Sequence, residues 1–205
     1  MSNTIALPGG VSRRRPVLAE LAGRGRIKDV ALIAAGAAWV AALGQLAIPL
    51  GFTPVPVSLG TFAVLTAGAA LGLRRAVAAM ALFLAAGLAG LPVFAGGQSG
   101  AGLPTLGYVL GYVMAAALAG WGARRGFDRS YVKNLAVMAA ASATVYLVGV
   151  PYLMAAADLD LSGGLAQGML PFLVGDLVKA LAAAAALPGA WWALGGRRRP
   201  GAREA

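Results

Sequence analysis

Six stretches of nearly unbroken apolar residues, at 29–50, 59–73, 76–91, 105–121, 134–156 and 170–194, set the terms for this chain. Each approaches the roughly 20 residues that a helix needs to cross a bilayer. The charges between them are sorted. Of the 17 Lys and Arg residues, all but Lys179 lie in the N-terminal arm, the C-terminal tail, or the second–third and fourth–fifth connections. The other three connections contain no basic residue. By the positive-inside rule this pattern predicts an all-α integral membrane protein with six transmembrane helices. Both termini are expected in the cytoplasm, and the bundle in the plasma (inner) membrane. Only 12% of residues are charged against about 25% in soluble domains. The net charge of +10 therefore reflects topology and not a nucleic-acid partner.

The expected organisation has three parts. Residues 1–28 form a basic, mostly disordered cytoplasmic arm suited to anionic membrane lipid. Residues 29–196 form the six-helix membrane domain, and 197–205 a basic tail. The first apolar stretch is too long for a cleaved signal peptide and lacks a cleavage pattern. Pro49, Pro54 and Pro56 forbid a continuous helix after the first span, yet the segment carries no charge. Non-helical backbone at membrane depth must be buried or line a cavity, so a Pro-rich plug dipping into the bundle is expected. A Gly-rich loop, 92–104, joins spans three and four. Gly68-x-x-x-Gly72 and Gly107-x-x-x-Gly111 are small-residue spacings that allow close helix approach. Ala31/Ala35 and Ala34/Ala38 make a similar stripe on the first helix.

Chemistry is narrowed by what the chain lacks. With no Cys and no His, thiolate and imidazole metal sites and Cys- or His-based catalysis are excluded. No phosphate-binding Gly-x-x-x-x-Gly-Lys-Ser/Thr occurs, so ATP-driven transport would need a separate ATPase. Intramembrane aspartyl proteolysis needs two carboxylates in one site, and Asp176 stands alone within the later spans. The expectation is a non-enzyme without cofactor or metal.

Asp176 and Lys179 are the informative charges. They lie one helical turn apart in the last span and face the same way. Burying such a charge in a membrane costs at least roughly 2.5–3.5 kcal/mol. A carboxylate that accepts N–H and an ammonium that donates to a carbonyl suit a cyclic urea or amide. A neutralising structural ion pair and an ion relay in a secondary transporter are the other readings. In the loop, Gly96, Gly97 and Gly100 open backbone N–H groups to an anion, and Gln98 and Ser99 add donors. A plain extracellular loop is the alternative there.

Taken together, Phe52-Thr-Pro-Val-Pro-Val57, Thr61-Phe-Ala-Val64, Gly90-Leu-Pro-Val-Phe-Ala-Gly-Gly97, Pro104-Thr-Leu-Gly-Tyr108 and Gly175-Asp-Leu-Val-Lys179 resemble the BioY family. These are the biotin-specific substrate-binding subunits of energy-coupling-factor (ECF) transporters. The resemblance covers 29–195. It implies a six-helix protein that binds biotin at its extracellular side, with Asp176 and Lys179 at the ureido ring. It also implies that the 96–100 loop, Tyr108, Phe52 and Thr53 surround the rest of the ligand. The Ala31/Ala35 and Ala34/Ala38 stripe resembles the family's docking motif for the transmembrane coupling subunit, and two ABC-type ATPases would supply energy. Another small vitamin as ligand, and a homo-oligomer, are also compatible. The chain departs from the family pattern at Gly60, where a glutamine is usual, and at Leu106, where a glycine is usual. Its Gly-rich loop is short and has no basic residue.

Overall fold

A helix occupies each of the six apolar stretches, but their ends fall where local chemistry places them. The computed structural model describes residues 15–23 and 25–195, and most of that length is helical. Residues 1–14 of the expected arm, Arg24 and the expected tail lie outside the described residues. The helices are α1 (Arg26–Gly44), α2 (Gly60–Leu71), α3 (Leu73–Leu88), α4 (Leu106–Arg124), α5 (Tyr131–Ala157), α6 (Leu161–Gly168) and α7 (Leu173–Gly195). Among the described residues, four stretches are long and apolar enough to cross a membrane: α1, α4, α5 and the run Leu161–Ala193. Helix α2 has 12 residues. At 1.5 Å per residue it reaches about 18 Å, short of a ~30 Å hydrocarbon core.

Several boundaries differ from the sequence expectation. Helix α1 stops at Gly44, because residues 47–58 fold into a hairpin. There β1 (Ala47–Ile48) pairs antiparallel with β2 (Val57–Ser58). Arg74 and Arg75, expected in a connection, lie in the first turn of α3. A single residue, Gly72, separates α2 from α3, at φ 76° and ψ 163°. That left-handed φ favours glycine. It frees Arg75 to bond Asp29 of α1 through Nη2 at 2.6 Å and Nε at 2.9 Å. The connection before the last span contains α6. Asp158 ends α5 in the left-handed region, and the Asp160 carboxylate caps α6 by accepting from the Gly163 N–H at 2.8 Å.

The described part of the arm also differs. Residues Leu18–Ala22 form a 3-10 turn, with Val17 and Ala19 buried against the bundle. The Arg124 guanidinium donates to Glu20 at 2.6 Å, and the Arg15 N–H donates to the Arg124 carbonyl. The apolar run Val17-Leu18-Ala19 gains by leaving water, which a count of the arm's charges does not register.

Helix packing is close where the small residues sit. A Cβ at Gly111 would stand 2.8 Å from the Val145 Cα of α5, and one at Gly68 would stand 2.9 Å from the Ala116 carbonyl oxygen of α4. Backbones meet at these points because no side chain intervenes. The core beneath contains Leu65, Met80, Met138 and Leu153, all fully buried.

Candidate ligand-binding site

The hairpin, the 92–104 loop and the adjoining ends of α1, α4 and α7 surround a cavity of about 70 Å³. Its apolar lining includes Val40, Val55, Phe83, Phe94, Val109 and Phe172. Its polar lining includes Ser58, Thr61, Tyr108, Tyr112, Tyr146, Asp176 and Lys179. A concave apolar site with a few converging polar groups is the usual form of a small-molecule pocket.

Helical periodicity on α7 puts Asp176 and Lys179 side by side. The Lys179 ammonium donates to Asp176 Oδ1 at 2.8 Å, with the two side chains only 10% and 12% exposed. The other carboxylate oxygen, Oδ2, accepts from the Tyr146 hydroxyl of α5. Each carboxylate oxygen keeps a lone pair, and the ammonium keeps two N–H donors. The trio therefore presents acceptors and donors on adjacent atoms, complementary to a planar N–H/C=O edge.

Tyr108 is fastened differently. Its hydroxyl donates to the Gly168 carbonyl at 2.8 Å, and its ring meets Tyr146 edge-on at 6.5 Å. Tyr108 thereby ties the end of α6 to the cavity wall and offers the cavity its ring.

The loop contributes one residue in particular, and it is not among those expected from the sequence. Phe94 is 1% exposed, stacks edge-on with Phe83 at 5.5 Å and inserts against Gly87. The Gln45 amide at the end of α1 holds the loop there, donating to the carbonyls of Val93 (3.2 Å) and Phe94 (3.1 Å). Gly96, Gly97, Gln98, Ser99 and Gly100 are not in the cavity lining. The loop turns back on itself: the Phe94 N–H donates to Gln98, Gly97 to Phe94 and Gly100 to Gly87. Those donors are consumed within the protein.

Phe52 is 62% exposed and outside the lining. Thr53 donates to the Gln167 carbonyl at 2.8 Å and accepts from the Val55 N–H, so it clasps the Pro-rich segment to α6. Ala31, Ala34, Ala35 and Ala38 are all exposed on α1, whereas Gly36, Ala37 and Val40 are buried. Of the residues singled out from sequence, the cavity brings together Asp176, Lys179 and Tyr108. Tyr112, Phe94 and Phe172 escaped that reading, since an apolar or aromatic residue in an apolar chain carries little signal of its own.

The sequence of the whole domain decides the family. Residues 14–196 match the model of the BioY family. The chain belongs to that family. A Rhizobium etli protein named biotin transporter BioY is 34% identical over 168 residues, covering 77% of this chain and 89% of that protein. A Thermotoga maritima biotin transporter BioY is 34% identical over 157 residues, covering 75% of this chain and 86% of that one. Among solved structures, the S-component for biotin from an ECF-type ABC transporter superposes with a TM-score of 0.73. That match has 27% identity and covers 86% of this chain and 94% of the other.

Proposed function

We propose that this BioY family member is the biotin-capturing subunit of an importer and holds the ureido ring of biotin at Asp176 and Lys179. The carrying observation is the nearly buried Asp176–Lys179 pair lining a cavity in a chain similar over most of its length to named biotin transporters. A ureido ring has two N–H donors and one carbonyl acceptor. A carboxylate and an ammonium side by side match that set, and the ring would recover part of the cost of burying the charges.

In this reading all six helices of the apolar stretches cross the membrane, with α2 and α3 completing the bundle. The face carrying Arg74, Arg75, Arg124, Arg125 and Arg129 lies in the cytoplasm with both termini, and the cavity opens outward. The subunit binds and presents biotin, and ATP hydrolysis belongs to separate ABC-type partners. The exposed face of Ala31, Ala34, Ala35 and Ala38 suits close approach by a transmembrane coupling subunit, because small side chains let helix backbones meet.

Equilibrium binding of labelled biotin to the detergent-purified protein tests the reading. Saturable binding that excess biotin displaces and other vitamins do not is the expected result. Absence of binding by a monodisperse, folded protein refutes it.

A further inference from the structure

The polar atoms of the cavity come from two sides. Asp176, Lys179 and Tyr146 satisfy one another on α5 and α7. From α2, α4 and the hairpin come three hydroxyls, those of Thr61, Tyr112 and Ser58. The Tyr112 hydroxyl lies beside those of Thr61 and Ser58 and within electrostatic reach of Asp176.

Gly60 explains how that hydroxyl fits. A Cβ on residue 60 would stand 2.5 Å from the Tyr112 Oη and 3.2 Å from the Ser58 Oγ. Gly60 opens α2 without a left-handed φ, so its backbone conformation does not call for glycine. The need is spatial: the Tyr112 hydroxyl occupies the volume that any side chain at 60 would claim.

We infer that Tyr112 is a second ligand-contacting group of this site, donating its hydroxyl proton to the ureido carbonyl of biotin, and that Gly60 is the residue that admits it. The inference rests on the biotin reading above. The Tyr112 hydroxyl lines the cavity, where it can donate its proton to an occupant. The charge of Asp176 draws the N–H side of a ureido ring toward α7, and the carbonyl then needs a donor that a carboxylate cannot supply. Lys179 and Tyr112 are among the donors that line the cavity with Asp176.

The test compares wild type, Tyr112→Phe, Gly60→Ala and the double variant. Affinities for biotin and desthiobiotin are measured beside the ligand-free melting temperature. Desthiobiotin keeps the ureido ring and lacks the sulfur. Tyr112→Phe is expected to weaken both ligands equally, by roughly ten-fold or more, with the ligand-free melting temperature unchanged. Gly60→Ala is expected to weaken binding when residue 112 is Tyr and to have little further effect when it is Phe, because the clashing hydroxyl is then gone. Unchanged affinity in Tyr112→Phe, a loss confined to biotin, or a loss that tracks a lowered melting temperature overturns the inference while leaving biotin capture intact. A wild type that binds no biotin overturns the underlying reading as well.

Discussion

Removing one charge of the Asp176–Lys179 pair should destabilise the protein and removing both should not, while either change should abolish binding. The ammonium and the carboxylate are 2.8 Å apart and nearly buried. At an effective dielectric constant of about 20 their gross attraction is about 6 kcal/mol. Most of that attraction offsets the cost of leaving water. Lys179→Met leaves Asp176 without its cation, supported only by Tyr146, and is expected to cost roughly 3–5 kcal/mol. Asp176→Asn leaves an uncompensated ammonium and is expected to cost a similar amount, lessened where the long lysine stem can reach a wetter region. In Asp176→Asn/Lys179→Met the Asn carbonyl can still accept from Tyr146 and no charge remains buried. Stability should return to within about 1 kcal/mol of wild type. Thermal unfolding of the ligand-free, detergent-purified proteins reads the first effect, and labelled-biotin binding reads the second. Binding should be lost in all three variants. A double variant that is stable and still binds biotin would show that the pair serves only to neutralise itself, and the site assignment would fall.

Two further outcomes follow from the packing and the charges. Gly87→Ala places a methyl where the Phe94 ring lies, so it should expel that ring and cost about as much as Phe94→Ala, roughly 3 kcal/mol. Both variants should weaken biotin binding and speed proteolysis in the 92–104 loop; a Gly87→Ala protein with wild-type melting and loop protection would refute the anchoring role. Asp128 is fully buried in the fourth–fifth connection and accepts from the Trp191 indole at 2.6 Å. Burial raises its pKa above the ordinary 3.8. The folded state therefore holds more protons than the unfolded state between 3.8 and the raised value, and stability falls as pH rises through that window. Asp128→Asn keeps the indole acceptor and should flatten this decline in melting temperature, whereas an unchanged slope would contradict the assignment.

The local parts of this molecule were legible because each is encoded within a few consecutive residues. Apolar runs mark where helices form, and alternate basic connections predict which face meets the cytoplasm. The three-residue spacing of Asp176 and Lys179 places both on one side of α7 wherever that helix packs. Gly68 and Gly111 mark close helix approach for the same reason, since a missing side chain is a local property. The BioY family itself can be read from strings such as Thr53-Pro-Val-Pro56 and Gly90-Leu-Pro-Val-Phe-Ala-Gly-Gly97.

Other features exist only once distant segments meet. The far end of α6 is held by Tyr108 and Thr53, whose hydroxyls donate to the carbonyls of Gly168 and Gln167 from other parts of the chain. Val17 and Ala19 are buried because the bundle offers them an apolar surface. The N–H groups of Gly97 and Gly100 are taken by the carbonyls of Phe94 and Gly87 once Phe94 is drawn into the core. Tyr146 reaches Asp176 across 30 positions, and Tyr112 fills the space beside Gly60 across 52. The helices, their apolar character and the charged pair on α7 follow from periodicity along single chain segments, so they can be read without coordinates. Which hydroxyls and rings surround that pair depends on how the helices pack against one another, and no single segment encodes it.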